Sequence, residues 1–121
     1  MSKRILVVED HEENRRILRL LLTKAGFELI EAETGEEGVR LAETERPDLI
    51  LMDIQLPGLD GYEATRRIKA NPDLRAVPLI VVTSYALSGD EIKAKEAGSD
   101  GYVTKPFSPR ALLAKIREYL P

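Results

Sequence analysis

The sequence predicts an α/β fold, a (βα)5 three-layer sandwich built on a parallel five-stranded sheet. Its 121 residues alternate five times between a short apolar run of strand length and an amphipathic stretch of helix length. Three of the apolar runs have no polar interruption, a pattern typical of parallel strands covered by helices on both faces. The connecting stretches are short, and a chain of this length suits one hydrophobic core. We therefore expect a single domain over residues 1–121.

The predicted strands differ in polarity, and this difference predicts their places in the sheet. The continuous apolar runs are expected at the centre, whereas the second run is half polar and is expected at an edge. Right-handed crossovers should join neighbouring parallel strands. These expectations match the flavodoxin-like order 2-1-3-4-5, which we adopt from known folds rather than derive from spacing. In chain order the predicted strands are residues 5–8, 28–32, 49–53, 79–82 and 101–104.

Capping residues mark the start of three predicted helices, where serine or threonine is followed by glutamate three residues on or by proline. These pairs are Thr34 with Glu37, Ser88 with Glu91, and Ser108 with Pro109. In the first helix, residues 12–25, helical periodicity predicts a buried apolar stripe. The stripe consists of Ile17, Leu18, Leu21 and Ala25. Leu20 lies off this stripe, either as an isolated exposed leucine or as a contact for a partner.

Composition argues against several classes of protein. The chain has no cysteine, which excludes disulfides and thiolate metal sites. A net charge of −3 without a basic block argues against binding to nucleic acid or to an anionic membrane. The first apolar run is too short for a signal peptide or a membrane span, so a cytoplasmic location is expected. Glycine-rich nucleotide loops and the Gly-x-Ser-x-Gly motif of serine hydrolases are absent from the sequence.

Polar residues that could bind a ligand or take part in a reaction follow the predicted strands. The carboxyl ends of parallel strands share one edge of the sheet, and ligands bind there at the point where the strand order reverses. The residues expected in this crevice are Glu9, Asp10, Asp53, Thr83 and Lys105. Two carboxylates about 4 Å apart repel by about 4 kcal/mol at an intermediate dielectric, so a bound cation is expected. Oxygen ligands favour Mg²⁺, whereas zinc prefers sulfur or histidine.

A phosphoryl group is the ligand that such a crevice suits. The metal and Lys105 would neutralise its charge, while Thr83 and backbone amides would bond its oxygens. Thr83 has no neighbouring base, whereas a carboxylate is nucleophilic as it stands. We therefore predict Asp53 as the nucleophile and an acyl phosphate as the product. His11, which follows the first two acids, either touches the site at its margin or is an exposed loop histidine, and we favour the second interpretation.

The residues that carry these predictions resemble the receiver domain of bacterial two-component response regulators. They are Glu9-Asp10, residues 51–61 around Asp53, Thr83-Ser84 and Lys105-Pro106-Phe107. The resemblance covers essentially the whole chain and is strongest to the stand-alone, DivK-like kind. It implies that Asp53 accepts a phosphoryl group from a phosphohistidine on a sensor histidine kinase or a histidine phosphotransfer protein. It also implies slow self-dephosphorylation as the only turnover.

The resemblance also implies roles for individual residues. Mg²⁺ would be held by Asp10, Asp53 and the backbone carbonyl of Gln55, with Glu9 acting through water. Lys105 would contact the phosphoryl oxygens, and the bond before Pro106 would be cis. Glu9 and His11 stand where Asp and Asn are commoner in the family, which affects metal affinity or phosphate lifetime.

A conformational switch is a further implication of the resemblance. Thr83 would move to the phosphate and let Tyr102 turn inward, reshaping the face made by the fourth helix, fifth strand and fifth helix for a downstream target. The first helix would dock the histidine-bearing partner through Asn14 and Leu20. Tyr102 has an alternative interpretation as an ordinary edge-strand aromatic. The chain would be a monomer or a weak, phosphorylation-dependent dimer.

Two other functions stay open at this point. One is a Mg²⁺-dependent phosphohydrolase with an aspartyl-phosphate intermediate, although such enzymes usually carry a second acid where Gln55 stands. The other is an interaction module with a vestigial site. The sequence also leaves open the cognate kinase, the target, and whether the domain is a natural single-domain protein or part of a hybrid kinase.

Overall fold

Five strands alternate with five helices in the computed structural model, which describes residues 2–83 and 90–120. The strands are β1 (Arg4–Val8), β2 (Glu28–Ala32), β3 (Leu49–Asp53), β4 (Leu79–Thr83) and β5 (Gly101–Thr104). The helices are α1 (Glu12–Lys24), α2 (Gly35–Glu45), α3 (Gly61–Ala70), α4 (Asp90–Ala97) and α5 (Pro109–Tyr119). The predicted alternation is therefore confirmed. The predictions for Ser84 and for a helix cap at Ser88 lie outside the described residues.

The five strands form one parallel sheet in the order β2-β1-β3-β4-β5, as predicted for a flavodoxin-like fold. Val8 at the end of β1 is level with Ala32 of β2 and Met52 of β3. Asp53 at the end of β3 is level with Val82 of β4. All the pairings are parallel, so the carboxyl ends of the strands lie along one edge, and the order reverses between β1 and β3.

Each face of the sheet is buried by its own set of helices. In β1, Leu6 and Val8 pack into a cluster with side chains of α2, α3 and α4, whereas Ile5 and Val7 pack into a cluster with side chains of α1 and α5. Alternate residues of a strand point to opposite faces, so a strand buried on both faces must be apolar throughout. This requirement explains the continuous apolar runs and produces the three-layer sandwich. Half-polar β2 lies at an edge, as expected.

Side-chain caps fix the start of three helices. Thr34 accepts a hydrogen bond from the Glu37 amide at 3.1 Å, and Ser108 accepts one from the Ala111 amide at 3.0 Å. Asp60, which was not predicted as a cap, accepts one from the Glu63 amide at 2.9 Å. Each cap satisfies a backbone donor that has no partner inside the helix. Among the described residues, no helix combines the length and apolar character needed to span a membrane.

The predicted buried stripe of α1 is wrong at Ile17. This side chain is 58% exposed, while the buried positions are Arg15, Leu18 and Leu22. At 100° per residue these three positions share one face, and Ile17 lies more than a quarter turn away from its centre. Leu20 is 65% exposed, as its position off the stripe predicted. Ile17 and Leu20 are three residues apart and therefore share an exposed face of α1.

Candidate phosphoacceptor site

The predicted polar residues meet at the carboxyl edge of the sheet. Glu9 follows β1, Asp53 ends β3, Thr83 ends β4 and Lys105 follows β5. The side chains of Glu9, Asp53 and Lys105 are in direct contact. Thr83 is buried beside them, and its carbonyl accepts a hydrogen bond from the Lys105 amide at 2.6 Å. The topology thus joins residues that are 96 positions apart in sequence.

One ammonium group serves two buried carboxylates. Lys105 Nζ lies 2.7 Å from Glu9 Oε1 and 3.4 Å from Asp53 Oδ2. Burial alone would lower the pKa of Lys105, but its hydrogen bond to Glu9 and the charge of Asp53 outweigh this effect and raise it. Lys105 therefore stays charged, and Glu9 takes the shorter of its two contacts.

Asp53 is the acid of the site whose pKa is raised. The residue is 5% exposed, and burial together with the neighbouring charge of Glu9 raises the pKa of Asp53 to about 6, although Lys105 opposes the shift. Its Oδ1 accepts a hydrogen bond from the Gln55 amide at 3.1 Å, and this bond favours the ionised form. A buried carboxylate held by a backbone amide and shared with a lysine has a nucleophilic oxygen fixed in position.

Glu9 is the most heavily bonded acid of the site. Besides Lys105, its carboxylate accepts hydrogen bonds from the His11 amide at 3.1 Å and from Asn14 Nδ2 at 3.4 Å. Burial pushes the pKa of Glu9 upward, but the hydrogen bonds from Lys105 and His11 overcome it and hold the pKa below its ordinary value. Glu9 is therefore ionised at neutral pH.

Asp10 has the features expected of a cation ligand. Its Oδ1 atom is buried and has no hydrogen-bond partner among the described residues. Glu9, Asp10 and His11 offer ligand atoms that lie within 4.8 Å of one another. A buried carboxylate oxygen that accepts no hydrogen bond is costly unless a positive charge neutralises it, so the carboxylates of Glu9 and Asp10 fit a hard divalent ion.

His11 is closer to the acids than its interpretation as an exposed loop residue suggested. Its side chain is 68% exposed, as expected, yet Nδ1 lies 3.3 Å from Glu9 Oε2 and 3.2 Å from Asp10 Oδ1. The adjacency of the three residues in sequence was the signal for this contact. His11 is also the N-cap residue of α1, although its side chain makes no capping hydrogen bond.

The backbone that follows Asp53 is held by Gly61. The Gly61 amide bonds the Ile54 carbonyl at 3.0 Å, and a Cβ on Gly61 would lie 2.1 Å from the Asp53 carbonyl oxygen. Only glycine permits this approach, because any other residue places a carbon at that point. Gly61 thus lets the loop after β3 pack directly against the peptide group of Asp53.

A groove of about 420 Å³ runs from the site along α1. Asn14, Ile17 and Leu18 line one side, and Pro106 and Phe107 line the other. The Lys105–Pro106 peptide bond is cis, as the resemblance implied.

The residues predicted for the docking face and for the output face lie on different elements of the fold. Leu20 is on α1, whereas Tyr102 is half-buried on β5 and packs against the cluster beneath α2, α3 and α4. Arg15 was absent from the predicted site, yet it is buried and bonds the backbone of both acids that follow β1.

Fold and site together define a flavodoxin-like α/β protein whose carboxyl edge suits a divalent cation and a phosphoryl group. Residues 5–117 match the family model of the response regulator receiver domain. The chain belongs to the receiver domain family.

Similar proteins agree with this assignment. The polar-differentiation response regulator DivK of Brucella anthropi is 42% identical over 120 residues, which span 99% of this chain and 98% of the relative. DivK of Brucella ovis is 41% identical with the same coverage.

Solved structures share the fold. The receiver domain of the sensor histidine kinase PA1611 from Pseudomonas aeruginosa, which has a magnesium ion coordinated in its active site cleft, superposes with a TM-score of 0.93 at 38% identity. The alignment covers 99% of this chain and 98% of that one. Chemotaxis protein CheY4 of Vibrio cholerae gives a TM-score of 0.93 at 25% identity and covers 98% of this chain and 99% of its own.

Proposed function

We propose that the protein is a phosphoacceptor response regulator in which Asp53 accepts a phosphoryl group from a phosphohistidine. The donor is a sensor histidine kinase or a histidine phosphotransfer protein of a two-component or phosphorelay system. The observation that supports this most directly is the contact of buried Asp53 with Lys105 at the end of β3. Residues 1–121 act as one receiver domain in this proposal.

The transfer is an in-line displacement. An Asp53 carboxylate oxygen attacks phosphorus, the bond between phosphorus and the donor histidine nitrogen breaks, and its electron pair returns to the imidazole ring. Lys105 and the Thr83 hydroxyl stabilise the charge on the phosphoryl oxygens. The product is an acyl phosphate on Asp53, and no general base is needed because the nucleophile is already ionised.

A magnesium ion fits this site as a cofactor. Asp10, Asp53 and the backbone carbonyl of Gln55 would hold it, with Glu9 acting through water. Bound there, Mg²⁺ would supply the positive charge that neutralises the acids and the phosphoryl oxygens. The buried Asp10 Oδ1, which accepts no hydrogen bond among the described residues, supports this assignment, as does the magnesium in the similar PA1611 receiver.

Phosphorylation changes the surface that binds a downstream target through the two switch residues, Thr83 and Tyr102. Thr83 moves toward the new phosphate, Tyr102 turns inward, and the face of α4, β5 and α5 changes shape for a downstream protein target. Asn14 and Leu20 contact the incoming kinase or phosphotransfer protein. The protein acts in the cytoplasm as a monomer or weak phosphorylation-dependent dimer, without nucleic acid or membrane as partner, and turns over only by slow self-dephosphorylation.

Incubation with acetyl phosphate and Mg²⁺ tests the proposal. Intact-mass analysis should show up to one phosphoryl group per chain, and peptide mapping should place it on Asp53. Asp53→Asn is the matched control and should stay unmodified. Catalytic release of many phosphates per chain would favour the phosphohydrolase instead, and absence of modification under conditions that label another receiver would contradict the proposal.

A further inference from the structure

Arg15 is a buried cation behind the acids of the site. It lies in the first turn of α1 and is 6% exposed. Its Nη1 donates hydrogen bonds to the backbone carbonyl of Glu9 at 2.9 Å and to that of Asp10 at 3.2 Å. A charged donor bonded to two consecutive carbonyls fixes the direction of both peptide groups.

The rest of the guanidinium group is held by acidic side chains. Nη2 pairs with Glu12 and lies 3.1 Å from Glu33 Oε1, and Nε lies 3.5 Å from Glu31 Oε1. These contacts come from α1, β2 and the segment after β2, so Arg15 is fixed from three directions. A side chain held this way is a rigid support rather than a mobile counter-ion.

The turn between β1 and α1 lacks the usual helix cap, which increases its dependence on Arg15. The N-cap residue His11 makes no side-chain capping bond. The turn is held by the bond between the His11 amide and the Glu9 carboxylate, and by the two bonds from Arg15. The Glu9 carboxylate is also the group that pairs with Lys105, so it serves two purposes at once.

We infer that Arg15 is a positioning residue for metal binding, which holds the backbone of Glu9 and Asp10 so that their carboxylates face the cation. The inference rests on the proposed function, since it assigns the cation site to these acids. Residues that orient metal ligands typically contribute about tenfold to a hundredfold in metal affinity. Arg15 itself touches neither the metal nor the phosphoryl group.

The direction in which Mg²⁺ affinity changes when Arg15 is replaced distinguishes a positioning role from simple electrostatics. Removing a positive charge near an acidic site should strengthen binding of a cation if only Coulomb attraction mattered. Loss of positioning should weaken it. Arg15→Met keeps most of the side-chain length and removes the charge and the donors, so the two explanations predict opposite results.

Arg19 provides a matched control on the same helix. It makes two bonds of 2.7 Å to Glu31, one of the acids that also faces Arg15, but the structure gives it no bond to the Glu9 or Asp10 carbonyls. Arg19→Met therefore removes an arginine and an ion pair while leaving the turn untouched.

The experiment is a Mg²⁺ titration of the full chain, followed by backbone amide chemical shifts, with amide hydrogen exchange measured in the metal-free protein. Arg15→Met should weaken Mg²⁺ binding at least about tenfold and speed exchange of the His11 amide, which bonds the Glu9 carboxylate. Arg15→Lys should recover part of the loss in affinity. Arg19→Met should bind within about twofold of the wild type. Mg²⁺ binding by Arg15→Met that equals or exceeds the wild type overturns the inference.

Two further outcomes are decided by the same measurements. If Arg15→Met does not fold, the Mg²⁺ titration of Arg15→Lys replaces it. A Mg²⁺ affinity equal to that of the wild type in Arg15→Lys then overturns the inference. If the wild type binds no Mg²⁺, the proposed function fails, and unchanged exchange of the His11 amide in the metal-free Arg15 variant would separately overturn the positioning role.

Discussion

Lys105 pairs more closely with Glu9 than with Asp53, the proposed nucleophile. Its Nζ lies 2.7 Å from Glu9 Oε1 and 3.4 Å from Asp53 Oδ2. Burial and the negative charge of Glu9 raise the pKa of Asp53 to about 6, and the charge of Lys105 offsets only part of this rise. The charge of Glu9 thus acts directly on the proposed nucleophile.

Glu9→Gln should lower the pKa of Asp53 in the metal-free protein. The substitution removes the negative charge that opposes ionisation of Asp53 and leaves Lys105 with Asp53 as its charged neighbour, so a drop of roughly one unit is expected. A carboxyl-carbon NMR titration measures the midpoint. Glu43→Gln, at an exposed position on α2, is the control and should leave it unchanged. A midpoint that stays near 6 in Glu9→Gln would contradict the coupling.

Asp53→Asn should stabilise the metal-free protein in a pH-dependent way. The folded pKa of Asp53, about 6, exceeds its ordinary value of 3.8, so the folded form binds the proton more tightly. Below pH 4 the residue is protonated in both states and the variant gains nothing. As pH rises from about 4 to 6, the wild type loses stability that the variant keeps, by at most about 3 kcal/mol. Urea unfolding at several pH values tests this, and a stability difference independent of pH would refute it.

Gly61→Ala should distort the nucleophile's backbone. Its Cβ would lie 2.1 Å from the Asp53 carbonyl oxygen, so we expect a loss of about 1–3 kcal/mol in unfolding free energy and slower labelling by acetyl phosphate. Gly26→Ala is the control: its Cβ would meet nothing within 4 Å, but its φ of +97° makes alanine strained there. That variant should lose stability and keep its labelling rate. Equal labelling rates in both variants would show that Gly61 has no special role at the site.

Leu20→Ser should slow phosphotransfer from a cognate histidine kinase by about fivefold while acetyl phosphate labelling stays unchanged, because an interface contact contributes on the order of 1 kcal/mol. The side chain is 65% exposed, so folding should be preserved. Ile92, which is 62% exposed on α4, offers a matched control. Radiolabel transfer assays measure both rates, and an Ile92→Ser variant impaired as strongly as Leu20→Ser would remove the case for α1 as the docking surface.

The fold and the edge that holds the site were predictable from sequence because they depend on patterns within single segments. The apolar runs at residues 5–8 and 49–52 are each followed directly by an acid, and the parallel sheet then places those acids together. Ile17 shows where such patterns fail: periodicity placed it in the buried stripe, whereas the structure buries Arg15, Leu18 and Leu22 and leaves Ile17 exposed.

The sequence did not predict which charged groups of the site pair with each other. Whether Lys105 lies nearer Glu9 or Asp53 depends on side-chain reach across three strands. The contact of His11 with the acids and the bonds from Arg15 to two carbonyls depend on the path of a short turn. Residue type and spacing say which groups meet, and three-dimensional geometry decides which of them pair.

Neighbouring residues of β5 are anchored on opposite sides of the sheet. Tyr102 packs into the cluster beneath α2, α3 and α4, whereas Val103 packs into the one beneath α1 and α5. Lys105 follows two positions later on the same stretch of chain. A displacement of Lys105 along this stretch of chain would therefore disturb the packing on both faces of the sheet through one strand.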